Sequence, residues 1–393
     1  MLESIALIFL FGLAGGRAAS ALRLPRLLGM LLAGMLIGPC GLALLGEPML
    51  ALSGDLRKLA LIIILARAGL SLNLEDLKKV GRPAMLMCFV PACFEIAGML
   101  LLAPRILGIS LADAAVMGAV VAAVSPAVVV PQMLRLMDEG WGTREGIPQL
   151  ILAGASVDDV FVIVLFSAFT SLAAGKDVGA AHFLQIPVSI VLGVVLGIAA
   201  GYLLGRLLRR TGMRPQAEVL LLLSVSILLA WAEQPASVLG VPFSGLLAVM
   251  SCGLAAAGTA PAAARRLSEA YGSLWAAAEI VLFVLVGAAV ELGSAAEAGL
   301  PAAALILLAL VFRAAGVLAC LLGTRLKAGE RLFCVIAYLP KATVQAAIGA
   351  VPLAMGLGCG SIVLTVSVLS ILISAPIGAV GMSLSYKKLL EKA

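Results

Sequence analysis

Two adjacent aspartates, Asp158 and Asp159, sit inside the run Gly154-Ala155-Ser156-Val157-Asp158-Asp159-Val160-Phe161-Val162-Ile163-Val164-Leu165-Phe166, where every other residue is small or apolar. Three more charges interrupt apolar stretches elsewhere: Glu95, Arg313 and Lys341. An ionised group at the centre of a membrane helix costs about 2.5–3.5 kcal/mol on insertion scales, so five such groups must pair, neutralise or face water. Three acids against two bases leave one carboxylate over. The most economical assignment pairs Glu95 with Arg313 and Lys341 with one aspartate, and leaves the other aspartate to hold a cation or a proton. Neighbouring helical residues point about 100° apart, so the two aspartates need not share a role. Desolvation and a nearby ammonium pull a carboxylate's proton affinity in opposite directions. A carboxylate so placed can exchange H⁺ for a hard cation, with hydroxyl and backbone carbonyl oxygens as further ligands. For Glu95 and Arg313 a pair that only fixes helix packing is the competing reading.

The elements that must hold these residues are membrane spans. The chain has 393 residues, 63% of them hydrophobic and 12% charged, against about 25% charged in soluble domains. Apolar runs bounded by Gly, Pro and charge clusters give thirteen candidate spans, approximately 3–20, 27–46, 56–73, 83–104, 111–134, 147–174, 183–207, 217–233, 239–259, 272–291, 299–323, 330–355 and 361–385. No stretch is long or polar enough for a separate soluble domain. The opening MLESIALIFLFGLAGG carries Glu3 where a secretory signal would be basic, so it is taken as the first span.

Lys and Arg total 27; 20 fall in the odd-numbered loops and the C-terminal tail, and 4 (Arg57, Lys58, Arg105 and Lys176) in the even-numbered loops. The cytoplasmic bias of basic residues in short loops then places the N-terminus outside and the C-terminus inside. The net charge of +6 therefore reports topology and not an affinity for nucleic acid.

Spans 5 and 12 are expected to be broken. The first contains Ser125-Pro126-Ala127-Val128-Val129-Val130-Pro131 and the second Pro340-Lys341-Ala342-Thr343, with Pro352 beyond; proline removes a backbone donor and clashes with the preceding turn. Non-helical backbone at membrane depth persists only where it is enclosed by protein or lines a wet cavity. The two spans lie seven apart and so cross in opposite directions, as interrupted spans of two inverted repeats do around a transporter's binding site.

The remaining polar residues say less. Arg67 is close enough to a span end to snorkel, Glu233 and Glu291 are at span ends, and Glu279 could line a vestibule or a subunit contact. The one histidine, His182, falls in a short loop. Cys40, Cys88, Cys93, Cys252, Cys320, Cys334 and Cys359 are scattered without C-x-x-C or Cys/His spacing and read as apolar fillers.

Ser125-Pro126 in a broken helix, the Gly-Ala-Ser-Val-Asp-Asp run, and Leu339-Pro340-Lys341-Ala342-Thr343-Val344-Gln345-Ala346-Ala347 together resemble the monovalent cation/proton antiporter superfamily, in its NHA-type sodium/proton exchanger branch. The resemblance covers essentially the whole chain. It implies an all-α polytopic membrane protein of about 13 transmembrane helices, with inverted repeats and two crossed discontinuous helices. It also implies a mobile core, approximately 83–174 and 299–385, and a scaffold that forms a homodimer, approximately 1–55 and 183–291. By position, Asp159 resembles the carboxylate that binds cation and proton alternately, Asp158 its neighbour, and Lys341 the charge-compensating lysine. Glu95 and Arg313 resemble an ion pair of the core, and Ser125, Ser156 and Thr343 are candidate oxygen ligands for Na⁺ beside Asp158 and Asp159. Electrogenic members of the family usually carry Asp-Asp, as here, which does not by itself fix the stoichiometry. The sequence has no long tail or nucleotide-binding domain like those of other branches, so regulation through one is not expected.

The leading expectation is Na⁺(Li⁺)/H⁺ antiport by alternating access in a bacterial-type inner membrane, without a cofactor. The alternatives are the same machine carrying K⁺ and a sodium-coupled organic-anion symporter, which would need polar groups for an organic solute. An intramembrane aspartyl protease would need two aspartates on separate facing helices, typically with a Gly-x-Gly-Asp run, so no enzymatic activity is expected.

Overall fold

The structure, a computed structural model, describes residues 1–22, 24–71, 81–174, 180–238, 241, 243–289 and 292–392; the side chains of 156, 157, 160, 180–187, 190, 211, 237, 238 and 292–298 lie outside that description. Arg23, Lys78, Lys79, Lys176 and Glu291 also fall outside it. Apart from one isolated bridge between Trp141 and Lys392, the regular structure among the described residues is helical.

In chain order the helices are α1 (Leu2–Ala21), α2 (Arg26–Ile37), α3 (Glu47–Ser71), α4 (Arg82–Met87), α5 (Val90–Leu107), α6 (Leu111–Ala122), α7 (Pro126–Glu139), α8 (Ile147–Ala173) and α9 (Ala180–Thr211). There follow α10 (Pro215–Trp231), α11 (Glu233–Val238), α12 (Gly245–Thr259), α13 (Pro261–Ala288), α14 (Leu292–Cys320), α15 (Ala328–Ala337), α16 (Thr343–Ile348), α17 (Val351–Ala354) and α18 (Gly360–Leu389). Eight helical segments among the described residues are long and apolar enough to cross a membrane, supplemented by shorter apolar helices at Arg26–Ile37, Phe161–Ala173, Gly245–Thr259 and Thr343–Ala354. The molecule is an all-α, multi-pass membrane protein. The figure of thirteen remains a reading of the sequence.

Two compact units are built from discontinuous segments: one of Met1–Gly54, Leu74–Ala174 and Leu282–Ala393, the other of Asp55–Asn73 and Gly175–Val281. Both rely on small residues that let backbones touch, because lipid tails give helices no hydrophobic reason to associate. In the first unit Gly15 of α1 faces the Gly29 carbonyl of α2, Gly287 faces the Leu31 carbonyl, and Gly98 of α5 lies under Phe312 of α14. In the second, Gly193, Gly197, Gly201 and Gly205 recur every four residues along α9 and lie against Ser244, Ala248, Cys252 and Thr259 in and beside α12.

Both breaks expected from proline are present. Span 5 divides into α6 and α7, separated by extended backbone at Ala123 and Ser125, with Pro126 opening α7 where its missing N–H is harmless. Pro131 is accommodated inside α7 without a second break. Span 12 divides into α15 and α16, separated by Tyr338–Ala342. A third interruption was not anticipated: span 4 turns at Cys88–Phe89 between α4 and α5, so that Pro91 falls in the first turn of α5, where its missing N–H needs no helical partner.

Several spans run further than their apolar cores. Arg57 and Lys58 lie within α3 and Arg265 and Arg266 within α13, not in loops. Arg266 reaches the buried Glu218 of α10 through two hydrogen bonds at 2.9 and 3.2 Å, which keeps that guanidinium on the helix. The C-terminal residues fold back on the α7–α8 loop: Gly142 N–H donates to the Glu391 carbonyl at 2.8 Å, and the Trp141 and Tyr386 rings meet edge to face.

A Cβ at Gly201 would lie 2.2 Å from the Cys252 carbonyl oxygen, whereas one at Gly258 meets nothing within 4 Å. Gly201→Leu is therefore expected to cost at least the roughly 1–3 kcal/mol of ordinary overpacking, and Gly258→Ala to change stability by less than about 0.5 kcal/mol. Thermal unfolding of the detergent-solubilised variants distinguishes the two.

Candidate functional site

The site forms where the two breaks meet in the first unit. Each break strips backbone groups of their helical partners, and in a membrane every such group must be satisfied from within the protein. The Ser125 N–H donates to the Pro340 carbonyl at 2.8 Å, joining one break directly to the other. The Val124 N–H donates to Asp158 Oδ2 at 2.8 Å, and the Lys341 N–H to Ser374 Oγ of α18 at 2.9 Å. Gln345 Nε2 donates to the carbonyls of Val121 and Ala123 at 3.1 and 3.0 Å. The Ala122 carbonyl between them accepts from Arg313 Nη1, and Arg313 Nε donates to the Tyr338 carbonyl at 2.6 Å.

Arg313 also binds the acids. Its Nη1 lies 2.9 Å from Glu95 Oε2 and its Nη2 3.0 Å from Asp158 Oδ2, and its guanidinium stacks over the Tyr338 ring with 5.5 Å to the centroid. All three ionic side chains are 0% exposed. A guanidinium carries five donors in a planar fork and stays charged when buried, so one residue can tie two carboxylates to two backbone carbonyls.

The expected pairing of Lys341 with an aspartate is not what the structure contains. Lys341 Nζ lies 2.5 Å from Glu95 Oε2, which puts Lys341 and Arg313 on the same carboxylate oxygen. An ammonium is a point charge without a fork; it shares Glu95 with Arg313, while Asp158 is held by Arg313 and the Val124 N–H and Asp159 by neither base. Glu95, Asp158, Arg313 and Lys341 thus make a chain of two acids and two bases with no net charge.

Asp159 stands outside that chain. It is 8% exposed, and among the described residues its side chain forms no ion pair or hydrogen bond; its Oδ1 is buried without a partner. Asp158 Oδ1, Ser125 Oγ, Thr343 Oγ1 and Gln345 Oε1 are in the same condition. Two of these are hydroxyls, which donate as well as accept, and the rest accept only; carboxylate, hydroxyl and amide oxygens are the ligand types hard cations take. Ser125 marks the start of α7 and Thr343 the start of α16. The side chain of Ser156 lies outside the described residues.

Other sequence candidates belong to the second unit or to other partners. Arg67 approaches Gly272 of α13, Glu233 accepts from the Gly245 N–H at 3.3 Å at the start of α12, and Glu279 has a partner of its own. The side chain of His182 lies outside the described residues. Tyr338, Gln345 and Ser374 were not picked out from the sequence as site residues. Gln345 could have been: it is an uncharged polar group with four hydrogen-bonding positions inside an apolar run, and such a group in a membrane needs partners as surely as a charge does.

A family model described as sodium/hydrogen exchanger, transmembrane, matches residues 5–385. The chain is 34% identical over 412 residues to human sodium/hydrogen exchanger 9B2, with all of this chain and 75% of the relative covered. It is 35% identical over 411 residues to the Xenopus tropicalis exchanger 9B2, covering 99% and 75%, and 30% identical over 411 residues to human exchanger 9B1, covering 98% and 78%. Its fold is similar to that of the sodium proton antiporter MjNhaP1 from Methanocaldococcus jannaschii, with a TM-score of 0.86, 19% identity, and 98% and 97% of the two chains covered.

Removing one partner from a buried ion network strands the others, at a cost of about 3–5 kcal/mol. Arg313→Met, which strands two carboxylates and two carbonyls, is expected to destabilise by at least that amount in thermal unfolding. Glu95→Gln and Lys341→Met combined are expected to cost less than the sum of the single changes, because the two residues share one ion pair; a double-mutant cycle measures the difference.

Proposed function

We propose that this chain, which belongs to the transmembrane sodium/hydrogen exchanger family, exchanges Na⁺ or Li⁺ for H⁺ by alternating access, with Asp159 binding the cation and the proton in turn. The observation that carries the assignment of Asp159 is its isolation. Two acids and two bases cancel one another around Arg313, and Asp159 is the deep carboxylate whose charge is left for a mobile ion.

The chemistry follows from that charge. With a cation on Asp159, or a proton on it, the cluster carries no net charge and its passage between the two sides of the membrane is tolerated; with Asp159 ionised and empty, moving it through the low dielectric is opposed. Two loaded states that can move and one empty state that cannot make an exchanger. Arg313 cancels the charge of Asp158, and Lys341 with Arg313 that of Glu95, so that Asp159 supplies the charge the cation balances. Ser125, Ser156 and Thr343 supply neutral oxygens in this reading, and Asp158 contributes its free Oδ1.

In the same reading the moving core comprises approximately 83–174 and 299–385 and the scaffold approximately 1–55 and 183–291, a division by motion that is distinct from the two units defined by contact. Two copies pair through their scaffolds. The protein resides in a cell membrane with the N-terminus outside and the C-terminus in the cytoplasm, which the distribution of Lys and Arg between alternate loops supports. The transported ions are the only small molecules the mechanism requires.

In proteoliposomes holding a preset proton gradient, Na⁺ or Li⁺ is expected to dissipate the gradient and choline is not, while Asp159→Asn reduces the cation-dependent rate to that of empty liposomes. K⁺ in the same assay tests cation choice, and failure of every alkali cation across a wide pH range would falsify the exchange reading. Because protons and cations compete for one carboxylate, the apparent KM for Na⁺ is expected to rise as pH falls, by about tenfold per unit once the pH lies below the group's pKa.

A further inference from the structure

Gln345 is 0% exposed, and both of its amide donors are used on backbone carbonyls at the end of α6. A carboxamide has two N–H donors and one oxygen acceptor, and two carbonyl partners on one side fix which end of the amide is nitrogen. Oε1 is therefore an acceptor by elimination, and it is buried without a donor. The carbonyls of Val121 and Ala123 are among those a terminating helix leaves unpaired, so Gln345 is placed to finish α6 just before the extended backbone of the break.

Four other buried oxygens without a partner lie on the two breaks and on α8: Ser125 Oγ where α7 starts, Thr343 Oγ1 two residues before Gln345, Asp158 Oδ1, and Asp159 Oδ1 next in sequence to the aspartate that holds the Val124 N–H. A buried acceptor left unmatched costs about 1–3 kcal/mol, and here the amide and carboxylate oxygens accept from no N–H or O–H, while the two hydroxyls, which can donate as well as accept, have no partner either. A dehydrated alkali cation is the partner such a set fits, because it accepts several oxygen ligands at once and needs only one of them charged.

We propose that Gln345 is a cation-binding residue of the exchanger: Nε2 fixes the end of α6, and Oε1 is a neutral ligand of the cation held at Asp159. The proposal rests on the exchange reading above. A neutral ligand contributes to cation affinity and to the choice between Na⁺ and Li⁺ without altering the charge that the proton balances.

The test compares wild type, Gln345→Met and Gln345→Glu in proteoliposomes, with the KM for Na⁺ and for Li⁺, the pH profile, and thermal unfolding with and without NaCl. Gln345→Met is expected to raise the KM for Na⁺ by about tenfold, the loss of one good ligand, to change the Na⁺ to Li⁺ ratio of KM values, and to lose the stabilisation that NaCl gives the wild type. If it lowers only the melting temperature and the yield, with both KM values and their ratio as in wild type, Gln345 merely closes a helix end and the proposal is overturned. Should Gln345→Met fail to fold, Gln345→Glu keeps the shape and an oxygen at that position; it is expected to retain stabilisation by NaCl and to add a second titration step to the pH profile of KM. A single step with a wild-type KM overturns the proposal. Wild type that exchanges no alkali cation overturns the exchange reading itself, which separates the two failures.

Discussion

Arg313 is the residue on which the architecture turns. It simultaneously neutralises two carboxylates and satisfies two carbonyls released by helix breaks, one from each broken span. Broken helices in a membrane are possible only if something replaces the missing ladder, and buried acids are possible only if something cancels them. Here one guanidinium meets both demands, so the breaks and the acids are held in a fixed relation. The α6–α7 break positions Asp158 through the Val124 N–H, Asp158 positions Arg313, and Arg313 closes on the carbonyl of Tyr338 at the second break.

The sequence reveals the constraint more readily than its solution. Proline placement located both breaks, because the loss of an N–H is a local property of the chain. The count of three acids and two bases gave the surplus of one carboxylate, since charge must balance in low dielectric whatever the geometry. The partner of Lys341 was beyond such reasoning. Counting fixes the net charge but neither the number of contacts nor their partners: the five-donor guanidinium holds both Asp158 and Glu95, and the lysine shares Glu95 with it. The turn at Cys88–Phe89 escaped because the hydropathy of the segment is continuous through it, although Pro91 carried the signal. Gln345 escaped because attention to charge passes over an amide.

The second unit shows the opposite economy. Along α9, glycine at every fourth position lets the helix lie against α12 with Cβ-to-carbonyl distances that no side chain could occupy. This unit brings helices into close backbone contact along a glycine row, while the first unit joins two broken helices through buried polar groups.

Gly154 lies on α8 one turn before Asp158, and a Cβ there would stand 1.9 Å from the Tyr338 hydroxyl. Any side chain at 154 displaces a tyrosine whose ring lies beneath Arg313 and whose carbonyl holds it. Positions 154 and 338 are therefore not independent letters in the inheritance of this protein. A lineage that enlarges the first must shrink the second in the same step or soon after, and drift at either site is confined to the narrow corridor of joint changes that keep the guanidinium where it is.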